Sequence, residues 1–172
     1  MKKEYSFIFD IKKCVQCHAC ELACKVLNNI EAGISWRKIL TLWEGEFPEV
    51  KSMTMSIACI HCIDPECIKV CPAEAIVKNE ENGIVFVNRD KCIACGSCGE
   101  ACPVQAPQYG KDGKMQKCDF CVDRVTAGQA PACVATCPSG ALDFAYTYIE
   151  DKKDNENKWQ KSTRKFFDMQ KY

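Results

Sequence analysis

Long apolar runs are missing from this chain. No stretch approaches the roughly 18 consecutive apolar residues of a membrane-crossing helix, so no transmembrane span is expected. The start, "MKKEYSFIFDIKKC", lacks an apolar core of signal-peptide length and a small-residue cleavage site. No twin-arginine pair follows, so the chain is expected to carry no export signal of its own. An excess of either charge is also missing: 23 Lys and Arg balance 23 Asp and Glu. That balance excludes the basic surplus of a nucleic-acid binder. Two histidines are too few for a His-rich metal site, and there is neither a phosphate-cradling glycine loop nor a Ser/His/Asp set.

Cysteine is what the chain has in abundance, 16 of 172 residues. Apolar content is 47% with cysteine counted, so the core without it is thin and needs disulfides or metal to hold it. The missing export signal disfavours secreted disulfides and favours reduced thiols in a cytosol. The cysteines form four groups of four with none left over. Group one is "CVQCHACELAC" (Cys14, Cys17, Cys20, Cys24). Group two is "CIHCIDPECIKVCP" (Cys59, Cys62, Cys67, Cys71). Group three is "CIACGSCGEACP" (Cys92, Cys95, Cys98, Cys102). Group four is "CDFC" (Cys118, Cys121), an eleven-residue gap, then "CVATCP" (Cys133, Cys137).

Groups one and three fit C-x2-C-x2-C-x3-C, the 4Fe–4S run of bacterial ferredoxins; groups two and four lengthen the step to the third cysteine. Three closely spaced thiolates wrap one cube, and the fourth points away to a second cluster, so groups work in pairs. Zinc is the competing metal, but it normally uses two separated Cys pairs. Between groups two and three, "AIVK" and "IVFV" flank a polar turn ending in Asn82–Gly83, a hairpin signal that couples these groups. Groups one and four remain, flanked by the strand-like "SFIFD" (6–10) and "ALDFAYTY" (141–148), which are expected side by side. Four ligand sets follow: Cys14, Cys17, Cys20 with Cys137; Cys118, Cys121, Cys133 with Cys24; Cys59, Cys62, Cys67 with Cys102; and Cys92, Cys95, Cys98 with Cys71. The alternative pairs one with two and three with four. With about −2 on each thiolate-bound cluster, four would make the loaded protein acidic by roughly eight charges.

The expected fold is α+β: two bacterial-ferredoxin-like modules of short strands, short helices and many loops, the inner inserted in the outer. The outer module takes 1–58 and 103–149, the inner 59–102, and 150–172 is a charged tail, either a helix on a partner or mobile. The insertion 25–58, with Trp36 and Trp43, reads as a loop and hairpin covering a cluster or as a docking surface. Residues 105–118 read as a turn-rich link. "CELACKVL" reads as a helix, because Lys25 replaces the proline that follows the other groups (Pro72, Pro103, Pro138). His18 and His61 are either solvated bystanders or groups that tune a cluster. Lys13, Lys25, Lys69, Lys91 and Lys117 stand beside cysteines and either offset cluster charge or are ordinary surface lysines.

These runs, with "GISWRKI", "APQY" and "KCDFCVDRVTAGQAPACVATCPSGALDF", resemble the four-cluster iron–sulfur subunit of the dimethyl sulfoxide reductase family, over roughly residues 5–146. The resemblance implies a non-catalytic electron-transfer subunit with four 4Fe–4S clusters. It implies docking on a large molybdenum or tungsten bis-pterin catalytic subunit, and electron exchange with a membrane anchor subunit or another redox protein in anaerobic respiration. Some relatives replace a group-three cysteine and hold an altered cluster; all four are present here, so four cubes are expected. The same chemistry serves subunits of formate-linked hydrogenases and tungsten aldehyde oxidoreductases, and free soluble carriers. Location is expected to be cytoplasmic, with membrane association or export only through a partner.

Overall fold

The computed structural model describes residues 2–149 and 158–169. Its elements are short, and cysteine loops separate most of them. In chain order they are β1 (Lys2–Phe9), α1 (Ala19–Leu27), β2 (Arg37–Glu44), β3 (Lys51–Ala58), α2 (Glu66–Lys69), β4 (Ile76–Lys78) and β5 (Val85–Val87). Then follow α3 (Ser97–Glu100), β6 (Gln108–Tyr109), β7 (Met115–Gln116), α4 (Val122–Thr126), α5 (Ala132–Ala135), β8 (Leu142–Ile149) and α6 (Lys158–Met169). The described strands form four separate antiparallel pairs: β1–β8, β2–β3, β4–β5 and β6–β7.

The N-terminal and C-terminal strands lie side by side as expected, with Phe7 opposite Phe144 and Tyr5 opposite Tyr146. Their aromatic rings meet Phe120 from group four: Phe7 stacks on it at 4.2 Å and Tyr5 at 5.4 Å. Aromatic pairs in offset contact supply a large share of a small core. β4 and β5 form the expected hairpin, with Ile76 opposite Val87. In its turn Asn79 Oδ1 accepts from the backbone N–H of Glu81 at 2.8 Å, and Gly83 has φ +74°. Glycine is required there twice, since a Cβ would also lie 2.5 Å from the Glu4 side chain.

The apolar interior has two parts. The larger joins Phe7, Phe120, Leu142 and Val125 to Met55, Ile57 and Val104. The smaller holds Ile76, Val85, Cys98 and Met115. β1 links them: Tyr5 N–H donates to Asn82 O at 2.9 Å, and buried Glu4 pairs with buried Lys78 at 2.8 Å.

Three expectations change. The link 105–118 is more than turns: it carries the β6–β7 hairpin, because burying Met115 in the smaller core pins its register. Over 158–169 the C-terminal segment is a helix that packs on its own chain: α6 lies on β1 and β3, burying Thr163 and Phe166. The rest of that segment, residues 150–157 and 170–172, lies outside the described residues. The insertion divides between its two readings. Trp36 is partly buried, with Nε1 donating to Gln116 Oε1 at 2.9 Å, whereas Trp43 is 70% exposed near the hairpin tip.

Candidate iron–sulfur centres

Each cysteine group begins as a tight loop made possible by left-handed backbone. Gln16 and His18 (φ 56° and 59°) turn group one, and His61 (45°) turns group two. Ala94 and Gly96 (57° and 82°) turn group three; Phe120 and Cys121 (62° and 49°) turn group four. Such residues are uncommon outside glycine, and runs of them wrap successive N–H groups around a concavity suited to an anion. The last cysteine of each group then sits on or just after a short helix: α1 holds Cys24, while Cys71, Cys102 and Cys137 follow α2, α3 and α5.

Two cavities show what this arrangement encloses. One is lined by Cys14, Cys17, Cys20 and Cys137, with Phe9, Ile39 and Leu142 around them. The other is lined by Cys92, Cys95, Cys98 and Cys71, with Ile76, Val87 and Met115. Both are partly open to solvent. In each, three cysteines come from one group and the fourth from another. The other eight cysteines lie close enough to feel one another's charge. Cys62 and Cys67 feel Cys59 and Cys102; Cys24 feels Cys133 and Cys121; Cys118 feels Cys24 and Cys133. The helices agree, with α1 packed on α5 and α2 on α3. Among the described residues no three Cys, His, Asp or Glu side chains converge as ligands of a single ion would. A cube presents a separate iron to each thiolate, so its ligands surround a space and do not meet at a point.

Burial sets the protonation of the thiols. It pushes Cys24 and Cys67 up to about 12 and Cys62 and Cys121 up to about 11, and Cys118 well above the usual thiol range. Without metal these thiols stay protonated at neutral pH; iron binding must displace the protons. Cys95 runs the other way, lowered by the backbone and hydroxyl of Ser97.

A set of sulfur partners is not visible in the cysteine spacing. The N–H of Ala75 donates to Cys71 Sγ at 3.3 Å and that of Ala106 to Cys102 Sγ at 3.4 Å; at Cys137 the backbone N–H groups of Leu142 and Ala141, with the Ser139 hydroxyl, favour the thiolate. All three alanines stand four residues after the cysteine, and their common signal is a thrice-repeated C-P-x-x-A: "CPAEA", "CPVQA" and "CPSGA". Group one has no such motif. There the helix runs on, as expected, and Asn28 supplies the fourth-residue donor from its side chain, Nδ2 lying 3.8 Å from Cys24 Sγ. Tyr109 Oη adds a contact to Cys98 Sγ at 3.4 Å.

The histidines separate. His18 is exposed and its Nδ1 meets Glu21 Oε2 at 2.7 Å. His61 is no solvated bystander: it is buried, and its Nδ1 accepts the Val85 N–H at 3.0 Å. Burial, with Lys117, Lys78 and Arg37 nearby, holds His61 well below the usual imidazole range, so it is neutral. The lysines separate too. Lys13 and Lys69 pair with acidic residues at the surface, and Lys91 is exposed. Lys117 is buried, its ammonium donating to the carbonyls of Val85 and Cys118. A buried cation that the cysteine neighbourhoods do not reveal is Arg37, at the start of β2.

Paired four-cysteine loops of this kind, with left-handed turns and N–H groups aimed at sulfur, define an iron–sulfur protein of the 4Fe–4S ferredoxin type. Comparison with known proteins agrees. The 4Fe-4S dicluster domain family matches residues 50–147. The B subunit of the anaerobic dimethyl sulfoxide reductase of Haemophilus influenzae is 43% identical over 153 residues, covering 83% of this chain and 74% of that protein. Its counterpart in Escherichia coli is 44% identical over 153 residues, covering 84% and 74%. The formate dehydrogenase-O iron–sulfur subunit of Escherichia coli is 34% identical over 160 residues, covering 83% of this chain and 53% of that protein. The chain belongs to this family of iron–sulfur electron-transfer subunits, and its sixteen cysteines suffice for four 4Fe–4S clusters.

Proposed function

We propose that the protein relays single electrons through four 4Fe–4S clusters between a molybdenum or tungsten pterin catalytic subunit and a quinol-linked or other redox partner, with no substrate chemistry of its own. The observation that carries this reading is the mixed origin of the two cysteine cavities, three sulfurs from one group and one from another. Extended to all sixteen, it gives the sets Cys14, Cys17, Cys20, Cys137; Cys118, Cys121, Cys133, Cys24; Cys59, Cys62, Cys67, Cys102; and Cys92, Cys95, Cys98, Cys71. The first two belong to an outer module of 1–58 and 103–149, the last two to an inner module of 59–102. When bound, each cluster supplies a one-electron carrier cycling between 2+ and 1+.

Burial orders the relay. Cys17 and Cys95 are exposed, so their sets stand at the two ends. Cys118 and Cys59 are both buried and feel one another's charge, which joins the two middle sets. With every thiolate engaged, no iron keeps an open position for substrate. The partners follow from the relatives, whose names make them parts of a dimethyl sulfoxide reductase and a formate dehydrogenase. No helix among the described residues is long and apolar enough to cross a membrane; in this reading any link to a membrane runs through a partner protein.

The test is metal analysis of the full chain purified without oxygen. About sixteen iron and as much labile sulfide per chain is expected. A content near four iron, or zinc in its place, would overturn the proposal. Copurification of a large pterin-containing protein separates a bound subunit from a free carrier.

A further inference from the structure

Arg37 is the largest fully buried side chain among the described residues, 1% exposed. A buried guanidinium is costly unless opposite charge meets it, and no carboxylate is paired with it among the described salt bridges. Its charged surroundings are sulfur. Cys133, Cys118, Cys20 and Cys24, ligands of the two outer sets in the reading above, are the sulfurs within electrostatic reach of its guanidinium. Nη1 donates to Ser56 Oγ at 3.0 Å, while Nε and Nη2 have no hydrogen-bond partner among the described residues. The guanidinium lies 4.2 Å over the Phe7 ring, which fixes its plane and keeps water away.

Ser56 extends the arrangement. Its Oγ also lies 3.4 Å from Cys20 Sγ. Arginine has donors only, so Ser56 Oγ accepts from Arg37 and its single hydrogen is left for the Cys20 sulfur. A one-way chain results, from guanidinium to hydroxyl to ligand sulfur.

We infer that Arg37 and Ser56 set the reduction potentials of the two outer-module clusters: Arg37 raises both through its fixed charge, and Ser56 raises the Cys20 cluster alone through its hydrogen bond. The inference rests on the four-cluster reading above. One electron moves per step, oxidising the donor cluster as it reduces the acceptor, and each reduction adds a negative charge that a desolvated cation nearby favours. The insertion 25–58 therefore does more than cover a cluster; its hairpin delivers a cation between two of them.

The experiment is a redox titration of the full chain followed by electron paramagnetic resonance, with signals assigned through Cys17→Ser and Cys121→Ser. Arg37→Met is expected to lower the reduction equilibrium of both outer clusters at least tenfold, about 59 mV for one electron. Arg37→Lys should stay near wild type, and the two inner clusters should not move. Ser56→Ala should lower the Cys20 cluster alone. Unchanged potentials in a fully loaded Arg37→Met, or an equal shift of all four clusters, would overturn the inference. Should Arg37→Met fail to load, Ser56→Ala decides: no shift at the Cys20 cluster overturns it. A wild-type chain with fewer than four clusters defeats the underlying reading before any variant is compared.

Discussion

Lys78 holds several oxygens at once. Its ammonium meets the Glu4 carboxylate at 2.8 Å and donates to the carbonyls of Cys62 and Ile63 at 3.0 and 2.8 Å. Both side chains of the ion pair are more than nine-tenths buried. Lys78→Met removes the cation facing a buried carboxylate, and breaking such a pair costs about 3–5 kcal/mol. Denaturant unfolding of the loaded protein should show that loss; a change under about 1 kcal/mol would contradict it. Residues of this kind are the least legible in a sequence. The sixteen cysteines announce themselves because cluster ligation demands local spacing. Lys78, Arg37 and the alanines of C-P-x-x-A act through partners remote in sequence or through a backbone N–H that every residue but proline possesses. Arg37 stands in "GISWRKI" with nothing in its neighbourhood to mark it as a buried cation.

Among the elements, local signals are legible in the sequence and docking is not. The β4–β5 hairpin follows from two β-branched runs around Asn82–Gly83, and α1 from the absence of a proline after Cys24. Where an amphipathic helix comes to rest is a tertiary matter. α6 carries Thr163 and Phe166 on its buried side and lies against β1 and β3. Phe166→Ala empties that contact, and removing a buried Phe costs about 3–5 kcal/mol where the helix is held by it. Hydrogen exchange should then accelerate across 158–169 while iron content stays at the wild-type level. Unaltered protection of that helix would show that Phe166 does not anchor it.

For the molecule as a whole, the inorganic content and the core are hard to separate. Seven of the 25 buried apolar residues among those described are cysteines, and the strands form only isolated pairs. Two-stranded units are marginal in water on their own. Stripping iron with an oxidant and a chelator should therefore abolish near-ultraviolet and most far-ultraviolet circular dichroism together, in step with loss of the visible cluster absorption. An apo-protein that keeps a cooperative thermal transition would count against this. The β1–β8 pairing is readable because the hairpin signal between groups two and three couples those groups in the sequence reading and leaves groups one and four, with their flanking strands, to each other.

That pairing also bears on biogenesis. Residues 10–141 lie between β1 and its partner β8, whereas β4 and β5 are separated only by residues 79–84. Closing the longer loop carries the larger entropy cost. On a ribosome, residues 59–102 are complete while Cys118, Cys121, Cys133 and Cys137 have yet to be added. In the proposed pairing, the two ligand sets within 59–102 are thus complete for iron delivery while Cys14, Cys17, Cys20 and Cys24 still wait for their partners, and β1 stays an open edge until β8 is made.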